Sequence, residues 1–372
     1  MTDKLDFKVA PGEYISELLE IKNMTQLELA RRLNVSPKHI SKIVNSEAGI
    51  SPDLAVGLEN VFGRPADYWL RLQTAFDEFT SREKIEADLL ANKEWIDLFD
   101  YPSLIKSEMV TPTKKYIEKG KNLLKFFEIS DPLAWNEAWL NPVEQICCRG
   151  SESVNSHANL IAIARLSTWI RQGQIVAERD ISESFPRFDK EKLNESLLDL
   201  RALNTVIEPK LVFPKLQSIL AKSGVYFQVL KEQKLMKTYA ATFRIEQNRA
   251  ACLQLSLRGK SHDQFWFSLF HEIYHLLNSG RAQGSLIGQS RNADVEREAD
   301  RFAGNTLIPP DEYSSFVNLR DFSHAAILSF TKRINLHPGI LVGRLQHDKF
   351  IEYSEHNGLK IRYYWEASQN NI

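Results

Sequence analysis

Cysteine is scarce in this chain: three in 372 residues, Cys147 and Cys148 adjacent and Cys252 remote from them. None sits in a CxxC pair, which excludes a disulfide framework and reads as the buried thiols of a cytosolic protein. Net charge is nearly absent as well, 47 basic side chains facing 48 acidic ones, so any surface that meets nucleic acid has to be a local patch. No apolar run approaches the roughly 20 residues that span a bilayer. The polar start Met1-Thr2-Asp3-Lys4 lacks the apolar core of a signal peptide. Internal repeats and low-complexity tracts are missing too. What is present is a globular composition, 43% hydrophobic and 10% aromatic, on a length that calls for two or three domains.

Residues 10 to 80 read as a compact helical unit. Thr25-Gln26-Leu27-Glu28 is a capping box that opens a helix through Leu33. Asn34-Val35 breaks it, and Ser36-Pro37 starts a second helix, to about Asn45, with proline at its first helical position. Leu29, Ala30, Val35, Ile40 and Ile43 at interior spacing make the pair a helix-turn-helix. Further helices are expected from Ser51-Pro52, with Leu54, Leu58 and Val61 inward, and from Ala66 through about Phe79. Between residues 22 and 45 stand Lys22, Arg31, Arg32, Lys38 and Lys42 against the single acid Glu28, a footprint suited to phosphates. Lys38, His39, Ser41 and Lys42 lie on the early, outward side of the second helix, where they reach base edges or backbone of a major groove. Gln26, opening the first helix, is placed for a phosphate. A helical unit that binds only protein is the plainer alternative; the agreement of turn, caps and charge favours DNA.

From 81 to about 220 the pattern is helical, with prolines at plausible helix boundaries, and Trp95, Trp135, Trp139 and Trp169 read as core filling. After Gly224 the pattern changes. Val225 to Leu230, Thr238 to Ile245 and Ala250 to Leu257 read as strands, the last two joined by a turn at Gln247-Asn248. Leu359 to Tyr364 reads as a closing strand. Strands beside several helices indicate a small α+β domain.

Within that part lies His271-Glu272-Ile273-Tyr274-His275. Histidines four apart share a helix face, so both imidazoles reach one metal ion, while Glu272 sits where a carboxylate touches a metal-bound water without being a ligand. Catalytic zinc takes three protein ligands and keeps one open position. Downstream Glu296-Arg297-Glu298-Ala299-Asp300 supplies Glu296 as third ligand, with Asp300 on the same face to orient a histidine. Glu298 is the fallback ligand; it would leave Glu296 without a role. Ala250 to Leu257 is the candidate edge strand for an extended substrate.

Two resemblances follow from these residues. Pro11-Gly12-Glu13-Tyr14, Thr25 to Leu33, Ser36 to Val44, Ile50-Ser51-Pro52-Asp53, Phe62-Gly63 and Tyr68-Trp69-Leu70 resemble the HigA-type antitoxins of the XRE/Cro group, repressors that bind operators as dimers. The run Asp263 to Phe270 leading into the HExxH motif, Glu296 to Ala303, Leu307-Ile308-Pro309-Pro310 and His337-Pro338-Gly339-Ile340 resemble the ImmA/IrrE metallopeptidases over about residues 186–372. That second likeness implies a zincin-like fold with one zinc per chain on His271, His275 and Glu296, and Glu272 as catalytic carboxylate. It also makes His337 a candidate oxyanion stabiliser. Members of that family commonly cleave a repressor under stress.

The expected architecture is multidomain and mostly α: a helix-turn-helix bundle over 1–80, a helical middle region over 81–185, and a zincin-like α+β domain with a small sheet over 186–372. The expected function is a cytoplasmic DNA-binding regulator, antitoxin-like and dimeric. Its zinc endopeptidase domain hydrolyses a peptide bond in a repressor, in a cognate toxin or in itself, and it has no membrane partner. The alternative is a non-catalytic antitoxin or ligand-sensing repressor whose C-terminal domain only binds metal or a partner. Glu272 favours the enzyme, because a structural zinc site usually has four protein ligands and no use for that glutamate.

Overall fold

Helix starts in the first unit, residues 1–93, follow their caps. The computed structural model describes residues 9–143, 157–236, 240–245, 249–257, 259, 261–278, 286–287 and 293–364. The first unit contains α1 (Pro11–Ile21), α2 (Gln26–Arg32), α3 (Pro37–Val44), α4 (Pro52–Phe62) and α5 (Ala66–Ala91). The side chains of Thr25, Ser36 and Ser51 accept from the backbone N–H of Glu28, His39 and Leu54 at 3.1, 3.2 and 3.3 Å, closing the first turns of α2, α3 and α4. Only half of the expected capping box forms in this way; the Glu28 carboxylate pairs with Arg32 one turn on. Asn34 makes the turn between α2 and α3 with φ 51°, a left-handed conformation that asparagine tolerates better than most residues. Ile15, Leu29, Ile40, Ile43, Leu58 and a fully buried Trp69 form the core. Gly12 lets α1 close on the end of α3, since a Cβ there would stand 2.2 Å from the Ile43 carbonyl oxygen. Helix α5 runs twelve residues past the expected end near Phe79, because no proline or glycine interrupts 80–91 and same-face pairs such as Arg82–Glu78 (2.7 Å) support its exposed side.

The second unit, residues 94–372, opens with α6 (Lys93–Asp97), which starts at the boundary, α7 (Tyr101–Lys106), α8 (Tyr116–Phe127) and the π-helical turn Asn136–Leu140. The long α9 (His157–Asp180) follows, then α10 (Lys190–Glu195), α11 (Leu197–Ala202) and α12 (Pro209–Lys222). Trp95, Trp135, Trp139 and Trp169 are all buried, as core fillers should be. Among the described residues no helix is long and apolar enough to cross a membrane.

A mixed sheet follows, built from β1 (Val225–Val229), β2 (Ala240–Ile245), β3 (Ala250–Leu255) and β4 (Leu286–Ile287) in the order β1-β3-β2-β4. β1 runs parallel to β3, while β2 is antiparallel to both β3 and β4. The expected edge role of Ala250 to Leu257 is therefore corrected. β3 is hydrogen-bonded on both sides and has no backbone edge to offer a substrate. The expected turn at Gln247-Asn248 lies outside the described residues. Leu359 to Tyr364 is not a sheet strand either. It makes one bridge, Ser261 to Arg362, and is pinned to the start of α13 (His262–Asn278) by His262 N donating to Ile361 O at 3.0 Å and by Lys360–Asp263 at 3.0 Å. The chain finishes with α14 (Ala293–Leu307), α15 (Pro310–Asn318), α16 (His324–Arg333) and α17 (Pro338–His347).

Strand alternation gives the sheet two buried faces of different chemistry. Phe227, Val229, Ala251, Leu253 and Leu255 join the apolar cluster with Trp266, Phe270 and Ile273 of α13. The other face carries Gln228 and Gln254 against α9. Gln254 donates to Trp169 O at 2.9 Å, and Gln228 donates to Gly173 O and to Gln254 Oε1, each at 2.9 Å. These bonds engage the Gln228 amide nitrogen and both polar atoms of the Gln254 amide, which would otherwise be costly to bury. They also key α9 to the sheet, so the tertiary division has two units where the sequence pattern reads as three segments. Gly173 is the contact point: a Cβ there would lie 1.5 Å from Gln254 Oε1. Gly173→Ala should accordingly lower the stability of the second unit by on the order of 3 kcal/mol, through overpacking and displaced amide bonds. Calorimetry should show a lower midpoint for that unit's transition.

Candidate metal centre and nucleic-acid interface

Two helices build the metal-competent cluster. The apolar positions of α13 (Trp266, Leu269, Phe270, Ile273, Leu276) turn toward the sheet and carry His271 and His275 inward with them. On α14, Glu296, Ala299, Ala303 and Leu307 form the buried stripe, with half-buried Asp300 beside it. Ala299 and Ala303, both fully buried, keep the approach of α14 to α13 close. The three donor groups of His271, His275 and Glu296 lie within 4.8 Å of one another and are all buried.

Their separations are close to those around one tetrahedral ion, with the two Glu296 oxygens each facing one histidine. Donors held at about 2.0–2.1 Å from zinc with tetrahedral angles stand roughly 3.3–3.4 Å apart. Here His271 Nε2 to His275 Nε2 is 3.1 Å, His271 Nε2 to Glu296 Oε2 is 3.3 Å and His275 Nε2 to Glu296 Oε1 is 3.5 Å. Two imidazoles and a carboxylate are also the donor types that suit zinc. Asp300 Oδ1 lies 2.9 Å from His271 Nδ1, so that nitrogen carries the proton and Nε2 turns to the cluster. Burial alone would push the His271 imidazole down, but its bonds to Asp300 and Glu296 and the charge of Glu272 outweigh this and raise it to about 9. Such surroundings favour positive charge at the cluster.

Glu272 is 1% exposed and accepts from the Thr242 hydroxyl at 3.2 Å. Sequence reasoning missed Thr242: alternation puts it on a defined face of β2, but only the packing of β2 against α13 reveals what it meets. Glu298 points elsewhere, its carboxylate accepting from the Tyr274 hydroxyl at 2.6 Å on the exposed side. His337 caps α17, its Nδ1 accepting from Gly339 N at 3.1 Å, and its ring lies 4.6 Å from that of His262. Burial and the neighbouring His337 push His262 down to about 3. Beside His271 and Glu272 opens a cavity of about 770 Å³, lined in addition by Phe267, Ser268, Asp300 and Gly304.

In the first unit, α3 buries Ile40 and Ile43 and leaves Lys38 and Lys42 exposed; His39 and Ser41 are half-buried, and Gln26 is exposed at the start of α2. Lys38, Ser41, Lys42 and Asn45 recur at helical spacing on one side, so Asn45 joins the expected set. Lys22, counted in the basic footprint, donates from its ammonium to Val61 O at 3.0 Å and lies 5.7 Å over the Phe62 ring, at the end of α4. Among the described residues, Arg31, Lys38 and Lys42 have no ion-pair partner, whereas Arg32 is held by Glu28.

Comparison with known proteins agrees with this division of labour. Residues 15–69 match the helix-turn-helix family, and residues 225–331 match the family described as IrrE N-terminal-like domain, a peptidase family. The chain is 40% identical over 70 residues to Virulence-associated protein I of Dichelobacter nodosus, covering 18% of this chain and 65% of that protein, less than two thirds of its length. It is 29% identical over 80 residues to the uncharacterized HTH-type transcriptional regulator YddM of Escherichia coli K12, over 22% of this chain and 85% of the relative. A solved structure of Pseudomonas aeruginosa antitoxin HigA with the higBA promoter is 32% identical, covering 21% of this chain and 85% of that one, with a TM-score of 0.20.

The cluster geometry predicts a metal-binding outcome. Purified protein should hold close to one divalent ion per chain by elemental analysis, and His271→Ala or His275→Ala should lose it, because two remaining donors hold zinc poorly. Asp300→Asn should weaken retention by about ten- to hundredfold. Glu298→Gln should leave the ion content unchanged; loss of metal in that variant would reassign the third ligand.

Proposed function

We propose that this chain, which joins an XRE-type helix-turn-helix domain to an IrrE N-terminal-like domain, is a DNA-binding transcriptional regulator with a metal-dependent endopeptidase domain. Its substrate is a peptide bond in a repressor or in its own kind. The observation that carries the reading is the position of Glu272: a buried carboxylate next to a three-donor cluster, held by Thr242 and opening on the cavity. A structural metal site has no need of such a group.

His271, His275 and Glu296 would hold the ion, and zinc there supplies Lewis acidity toward water and toward a peptide carbonyl. The remaining work falls to this chain's own residues. Glu272 takes the proton of the attacking water and returns it to the amine of the leaving peptide. Thr242 donates to one oxygen of that carboxylate, steering it, and Asp300 keeps His271 in the tautomer whose Nε2 faces the cluster. Packing of α13 against the apolar sheet face excludes bulk water behind the glutamate. In the first unit, Lys38, Lys42 and Arg31 meet phosphates or base edges while Gln26 opens α2 beside them.

The hydrolytic reading is tested with Glu272→Gln, which preserves volume and the metal ligands. Incubation of metal-loaded protein with candidate repressors and with itself, read by mass spectrometry, should give fragments whose formation falls by about two to four powers of ten in the variant. DNA affinity and metal content should persist. A variant that still derepresses its target in cells while retaining metal would make the domain a sensor instead.

The DNA reading has its own test. Lys42→Ala should weaken duplex binding and flatten its salt dependence by about one counterion, or cost about 1–3 kcal/mol where the lysine contacts a base. Lys22→Ala, tied to the end of α4, should leave the salt slope unchanged. Fluorescence anisotropy over a salt series measures both, and equal slopes for the two variants would overturn the assignment of that face.

A further inference from the structure

The cavity beside the metal-competent cluster is built from three helix faces, and most of its charged groups are already engaged by this chain itself. Asp263, almost buried, pairs with Lys360 at 3.0 Å and accepts from the Ser261 hydroxyl. Gly343 makes room for it, since a Cβ there would lie 2.3 Å from Asp263 Oδ2. Arg344 donates to Gly304 O at 2.7 Å, lies 3.9 Å over the Tyr313 ring and stands 3.7 Å from Asp348. Asp348 in turn accepts from Tyr313 and faces His347. Asp300 is bound to His271. Arg301 stays exposed on the rim.

With those charges neutralised in place, an ionic side chain entering past Arg301 at the rim would lose its water and meet charges already paired within this chain. The apolar lining is different. Leu307, Ile308 and Ile340 form a buried wall, and Phe267 is a large apolar side chain left open, at 37% exposure. Phe267 stands one helical turn before His271, their ring centroids 6.3 Å apart. It therefore borders the reacting position while facing the cavity. At about 770 Å³ the space takes a bulky side chain with flanking backbone.

We propose that this cavity is a specificity subsite for an apolar side chain next to the scissile bond, with Phe267 as the residue that selects it. The inference rests on the peptidase reading and names its substrate class: segments with leucine-, isoleucine-, methionine- or phenylalanine-like residues beside the cleaved bond.

The test uses zinc-loaded full-length protein and two hydroxamates, acetyl-leucine hydroxamate and acetyl-glycine hydroxamate, with affinities measured by calorimetry. The leucine compound should bind about tenfold tighter or more, as expected when an apolar group fills an apolar pocket. That preference should shrink severalfold in Phe267→Ala and persist in Phe267→Leu, with metal content checked in each. Equal affinity of the two compounds for the unaltered protein overturns the proposal without need of any variant. So does a preference that Phe267→Ala leaves intact. Cleavage of a mixed peptide library separates this from the parent reading. Fragments without an apolar preference at the cut refute the subsite alone. A leucine preference in binding with no peptide cleaved refutes the peptidase reading, and with it the scissile-bond role of the subsite, leaving an apolar ligand pocket.

Discussion

Burial of the Glu296 carboxylate is the constraint on which the C-terminal unit turns. At 5% exposure it sits between two imidazoles, and a buried carboxylate is tolerable only where positive charge compensates it. That requirement explains the small alanines that let α14 close on α13, and the Asp300 bond that fixes one histidine. Against the effect of its burial, the same carboxylates also raise the His271 imidazole. The same arrangement offers three buried donor groups within 4.8 Å of one another, close enough to share a divalent ion.

The sheet serves this cluster by burying both faces of β1 and β3 and nearly all of β2. Its apolar side seats α13, and its glutamine side is locked to α9 by amide bonds that tolerate little displacement. Thr242 links the two levels: a strand residue whose hydroxyl reaches the catalytic candidate Glu272. Because β3 lies between β1 and β2, it offers no free backbone edge, while the cavity opens beside α13. The helix-turn-helix unit follows a simpler economy. Three serine or threonine caps set its helix starts, and an apolar stripe on α3 leaves lysines outward.

Much of this was legible from residues 25 to 52 and 267 to 300 alone. Caps act within four residues, and HExxH spacing puts two imidazoles on one face whatever surrounds the helix. Pattern reading failed where the partner was distant. Leu359 to Tyr364 alternates like a strand, yet Lys360 and Ile361 are held by the start of α13. Lys22 looks like part of a phosphate-binding patch until its ammonium is found on Val61 O.

Local sequence, then, determined the helix starts, the histidine pair, the inward face of α14 and the basic character of α2 and α3, because each depends on spacing along one element. Only the tertiary structure decided that Thr242 meets Glu272, that the Glu298 carboxylate turns to Tyr274, and that β3 is central. It alone engaged the cavity's charges and left Phe267 open. The physical reason is that these outcomes depend on which elements touch, and a contact between residues on different elements leaves no periodic trace in either one.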